Sequence, residues 1–160
     1  MEKIENQAKF KSRQKFSALD LKAEASLINS QLSGIKVHNI YDINSKTYIL
    51  KLTKAGVKLN LLLESGVRMH LLNNFPEKSD KPNSFAQKLR KHLRGLFLDS
   101  VEQVGVERIV KLKFSGADTS NLSFTYFLIV ELYAKGNIIL MDSQNAILAL
   151  LRIHTYDETH

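Results

Sequence analysis

The apolar positions along this chain change period at Ile35. Before it, Leu21, Ala25, Ile28 and Leu32 recur at helical spacing, and Leu19, Ala23 and Leu27 form a second stripe. The spacing predicts a helix buried on two sides, opened by Ser17 and stopped by Gly34. From Ile35 the apolar residues alternate or fall in short continuous runs at 35–43, 47–52, 58–64 and 67–72. Asn44-Ser45-Lys46, Lys54-Ala55-Gly56 and Ser65-Gly66 separate them with turn chemistry, so an antiparallel meander is predicted. Residues 73–82 hold both prolines and read as a crossover, because neither flank can bury its apolar face alone. A second helix follows. Phe85, Ala86, Leu89 and Leu93 share one arc, and Lys88, Arg90, Lys91 and Arg94 fan across the other side. Ser84 with Gln87 reads as its capping box, and Gly95 as the residue that closes its last turn.

Five further runs, at 96–104, 107–114, 123–133, 137–142 and 146–153, complete the pattern. Both alternating sets of the run around Tyr126–Glu131 are largely apolar, which predicts a central strand covered on both sides. Helix, four strands, helix and four or five strands favour an α+β fold in which two antiparallel sheets form a sandwich with helices at its margins. Residues 1–15 lack apolar periodicity and read as a disordered basic arm, 16–154 as the domain, and 155–160 as the stub of a longer protein.

Charge narrows the range of partners. Among 160 residues, 23 Lys and Arg stand against 16 Asp and Glu, a formal net charge of +7 that favours phosphate-bearing partners. The absence of cysteine removes thiolate metal sites and a cysteine nucleophile. No apolar run suits a signal peptide or a membrane span, which leaves a cytoplasmic protein without a membrane partner as the default expectation. His38, His70, His92, His154 and His160 have no zinc-ligand spacing, and no phosphate loop or nucleophile elbow is present. No metal, cofactor or catalytic group is expected, and the chain reads as a non-enzyme.

Three residues remain as candidates. Asp20 has a structural explanation, since Ser17-Ala18-Leu19-Asp20 is itself a capping box. Glu107-Arg108 follows the tight Gly105-Val106 link at a strand mouth; it reads either as a surface ion pair, worth about 0–1 kcal/mol, or as a site. The cations of the second helix read either as a solvated face or as a contact surface. Tyr41, Tyr48, Phe97 and Tyr133 are stacking candidates for which a place in the core is the simpler reading.

The ordered series FSALDLKAEASLIN, VHNIYDINSKTYILKL, LLLESGVRMH, PNSFAQKLRKHLRG, QVGVERIVKLKF and ELYAKGNIILMD resembles the amino-terminal NFACT domain (NFACT-N) of the NEMF/Rqc2/RqcH ribosome-associated quality-control factors, once called fibronectin-binding protein A-like. The resemblance runs from about Phe16 to Arg152. It implies a fold similar to the amino-terminal β-sandwich of formamidopyrimidine-DNA glycosylases. It also implies binding to large ribosomal subunits that carry stalled peptidyl-tRNA. There, alanyl-tRNA, and in eukaryotes also threonyl-tRNA, is recruited for carboxyl-terminal tailing of the nascent chain (alanine or CAT tailing). In eukaryotes the full-length protein stabilises the ubiquitin ligase Listerin on that particle. By resemblance, Asp20, Glu107 and Arg108 are the residues needed for tailing, and Arg68, Lys88, Arg90, Lys91 and Arg94 supply a basic face for nucleic acid or ribosome. Glu107 departs from the family's usual Asp by one methylene, keeping the charge and altering the reach.

Two other classes compete. A glycosylase of the related fold attacks through an amino-terminal proline, whereas this chain begins Met1-Glu2. A protein-interaction module would use its cations only for solubility.

Overall fold

The computed structural model describes residues 16–78 and 80–152, so the expected arm 1–15 and stub 155–160 lie outside the described residues. Helix α1 (Ala18–Asn29) precedes strands β1 (Lys36–Asp42), β2 (Thr47–Lys54), β3 (Val57–Glu64) and β4 (Arg68–Leu72). Helix α2 (Ser84–Leu93) leads into β5 (Phe97–Gln103), β6 (Ile109–Ala117), β7 (Ser123–Glu131), β8 (Asn137–Asp142) and β9 (Ile147–Leu150). Every run read as a strand forms one.

Where the pattern suggests two sheets, hydrogen bonding makes a single antiparallel sheet of nine strands in the order β4-β3-β2-β1-β5-β6-β7-β8-β9. The joint between the meanders is short. Lys36 pairs with Phe97, and the backbones of Val37 and Ile35 bond to Gly95, Leu96 and Leu98. A contact between segments some sixty residues apart leaves no mark in local periodicity, which is why the pattern could not show it.

The helices explain how this sheet buries its core. α1 touches β5 and the edge strand β4, and α2 touches β1 and the opposite edge strand β9. In a flat sheet, strands four and five positions apart, as these are, lie about 19 and about 24 Å from each other, too far for a helix about 10–12 Å across to bridge. Each half of the sheet therefore curls around one helix. Side chains finish the closure. Glu24 Oε1 accepts the free N–H of Leu71 on the edge strand at 2.9 Å. Asn29 exchanges two bonds with the backbone of Val101, at 2.5 and 2.9 Å, where β5 has diverged from β1. One apolar cluster runs through both halves, with Leu21, Ile28, Leu50, Leu63, Leu89, Phe114 and Leu140 among its members.

Four local expectations change. The second stripe of α1 is not buried, since Leu19 is 76% and Leu27 49% exposed; the helix meets the sheet with the Leu21, Ala25 and Ile28 side alone. α1 ends at Asn29 with Ser30 as its C-cap, short of Gly34, although Leu32 remains buried. Strand β7 buries only Leu128 and Val130 fully, leaving Phe127 and Ile129 half-covered. α2 is capped by Asn83 rather than by Ser84. The Asn83 side chain accepts from Ala86 N at 2.8 Å, and Gln87 bonds instead to the Pro82 carbonyl. Tertiary partners fix that choice: Asn83 also donates its backbone N–H to Asp42 and its amide to the Tyr48 hydroxyl, at 2.9 and 3.0 Å.

Candidate functional site

Two elements remote in sequence meet beside Arg108. The amino-terminal turn of α1 carries the expected capping box, with Asp20 N donating to Ser17 Oγ at 3.0 Å and Ser17 N to Asp20 Oδ2 at 2.9 Å. The β5–β6 turn is brought against it by Gln103, whose Nε2 donates to the carbonyls of Ala18 and Glu107 at 3.3 and 2.9 Å. A cleft of about 350 Å³ results, lined by Ser17, Ala18, Val106, Glu107 and Arg108. Asp20 is not among the lining residues; its carboxylate holds the helix cap.

Glu107 is exposed and Arg108 half-buried. No ion pair joins them to each other or to another described residue, so the surface-pair reading finds no support in the geometry. The Arg108 backbone carbonyl is engaged, accepting from Leu132 N at 2.8 Å, which fixes the root of the side chain. Its five-donor guanidinium is left to the cleft, suited to a phosphate or a carboxylate. Val106, 87% exposed at the tip of the turn, adds an apolar rim. Neither it nor Gln103 was marked by periodicity, because a glutamine that reaches 85 residues back leaves no local signal.

The basic candidates divide. Lys88, Lys91 and Arg94 are exposed along the outer side of α2, free of ion pairs with described residues. Arg90 is not part of that fan. It is half-buried, donates Nε to the Ile40 carbonyl at 2.6 Å and places its guanidinium 5.1 Å from the Tyr41 ring centroid. Arg68 starts the edge strand β4, its Nε 3.4 Å from Glu64 Oε1, an ion pair that lacks hydrogen-bond geometry. No described bond ties Arg68 to α2.

Of the stacking candidates, Tyr48 is fully buried, while Phe97 and Tyr133 are each 39% exposed. Tyr41 packs edge-on against Phe75 at 5.1 Å. No cluster of three or more potential metal ligands occurs among the described residues, and no described helix is long and apolar enough to cross a membrane.

Residues 17–160 match the family described as NFACT N-terminal and middle domains. The chain is 44% identical over 143 residues to the ribosome quality control complex subunit NEMF of Homo sapiens, covering 89% of this chain and 13% of that protein. It is 38% identical over 147 residues to the ribosome quality control complex subunit 2 of Schizosaccharomyces pombe, covering 91% of this chain and 14% of that protein. The N-terminal domain of fibronectin-binding protein PavA from Streptococcus pneumoniae shares the fold at a TM-score of 0.81 and 25% identity, over 91% of this chain and 59% of that one. The chain thus spans well under a fifth of the length of these two relatives.

Proposed function

The chain belongs to the family of NFACT N-terminal and middle domains, and on that premise we propose that it serves a ribosome quality control factor as its tRNA- and ribosome-binding domain. In this reading it engages large subunits that carry stalled peptidyl-tRNA and positions charged tRNA, alanyl or threonyl, for carboxyl-terminal tailing. The domain forms no bond itself; peptide transfer belongs to the ribosome. Listerin and the cytoplasmic setting enter through the full-length protein.

The observation that carries the proposal is the Arg108 guanidinium, without a partner among the described residues, in a cleft beside the amino end of α1, on a chain of net charge +7. Glu107 extends from the same turn and gives the site a negative element that can orient an amino or hydroxyl group rather than a phosphate. Lys88, Lys91 and Arg94 offer phosphate contacts that need no base identity.

The test is tRNA binding measured against salt. Arg108→Ala is expected to weaken binding about tenfold or more and to lower the log–log salt slope by about 0.9 for each phosphate the variant no longer neutralises. Equal affinity and slope in a folded variant would remove Arg108 from the interface. A protein-contact reading is favoured by Leu19 and Leu27, both exposed on α1 about two turns apart. It gains if Leu19→Ser/Leu27→Ser abolishes binding to a partner protein while tRNA affinity stays unchanged.

A further inference from the structure

A row of side chains crosses the open end of the first meander on the face away from the core. Register sets Phe97 beside Lys36, Lys36 opposite Thr53, and Thr53 opposite Lys58. Paired residues of antiparallel strands share a face, and here the inward positions are taken by the buried Val37, Leu52 and Leu61. Lys36 and Lys58 therefore stand two strands apart, about 10 Å, on either side of Thr53. Lys36, Lys54, Lys58 and Phe97 are all exposed.

The row borders a cleft of about 390 Å³ whose lining includes Gly34, Lys36, Lys54 and Lys58 and no carboxylate. None of these lysines makes an ion pair with a described residue. The Lys36 ammonium lies 4.8 Å from the Phe97 ring centroid. Further along the same face Lys51 approaches the Phe75 ring at 6.0 Å, and Lys78 covers the Tyr41 ring at 4.2 Å. The exposed carboxylates nearest in sequence are Asp99, two residues past Phe97, and Glu77 and Asp80 on the crossover; Asp42, next to Tyr41, is buried.

We infer that this face binds a single-stranded segment of RNA, with phosphates on Lys36 and Lys58 and one base stacked on Phe97. Cations interleaved with exposed aromatic rings are what a flexible strand needs, because every base has a π-face and every nucleotide a charge. A base–aromatic stack is the stronger contact for an exposed ring, so the Lys36 ammonium exchanges the ring for a phosphate as the base arrives. An acidic peptide would satisfy the lysines and leave Phe97 unused. The face is separate from the Arg108 cleft and shares with the proposed function only its RNA chemistry.

The experiment uses the chain as it stands and a fluorescein-labelled unstructured RNA of about twelve nucleotides, within the ~4–16 nucleotide sites of single-strand binders. Lys36→Gln/Lys58→Gln is expected to lower the log–log salt slope by about 1.4, two phosphates' worth. Phe97→Leu is expected to weaken binding about tenfold at an unchanged slope. Whole-tRNA affinity of Arg108→Ala, measured alongside, is the separate readout of the cleft, so failure here and failure there are distinguishable. Should the double variant not fold, the slope of Lys58→Gln alone, expected to fall by about 0.7, decides. Unchanged affinity and slope in these variants overturn the inference, as does an oligoglutamate of equal charge that competes as well as the RNA.

Discussion

Tyr48 shows how much a single side chain can hold together. It is fully buried, packs edge-on against Phe85 at 5.2 Å, and its hydroxyl accepts from the Asn83 amide at 3.0 Å. Burial raises its pKa above the ordinary 10.0; the Asn83 hydrogen bond opposes the rise, and the charge of Asp42 adds to it. The sign of the linkage follows. Between 10.0 and the higher folded value, the native state keeps a proton that the unfolded state has lost, so stability falls as pH climbs through that window. Urea unfolding across this range should show the fall for the wild type and not for Tyr48→Phe, which instead loses about 1 kcal/mol at neutral pH with its hydrogen bond. Arg108 differs in kind: its backbone is fixed by Leu132 and its side chain has no described partner, so its replacement should register in binding and hardly in stability.

At the scale of elements, α2 is set in place through its cap. Asn83 caps the helix, ties it to Tyr48 through its side-chain amide and binds Asp42 through its backbone. Asn83→Ala removes the first two and keeps the third, a loss of about 2 kcal/mol. A chain of this length should then melt about 4–8 °C lower. Asn83→Ser restores the cap without the amide and should recover about half of that. α1 teaches the complementary lesson. Its capping box is local and formed as the sequence indicates, but its second apolar stripe, Leu19 and Leu27, meets water because the curled sheet offers only one wall. Helical period identifies an apolar face, and the tertiary contacts alone decide whether that face is covered.

For the whole molecule, the decisive contact is where the two meanders touch a second time. Gly66 N donates to the Glu131 carbonyl at 3.0 Å, and a Cβ placed on Gly136, whose φ is +69°, would fall 2.0 Å from Gly66 N. Gly136→Ala therefore pushes backbone against backbone and should cost more than about 3 kcal/mol by chemical unfolding. Gly56→Ala, equally left-handed at φ +78° but facing open space, should cost only about 1–2 kcal/mol. The chain itself determined the nine strands, the two helices and the Ser17 cap, because period, turn chemistry and short motifs act over a few residues and are written where they act. Only the tertiary structure decided that the meanders share one sheet, that Arg90 turns to Ile40 and Tyr41, and that Gln103 draws the end of α1 against Glu107 and Arg108. Each of these depends on chain segments dozens of residues apart, brought together by burying a common core, and no local pattern carries the record of a distant partner.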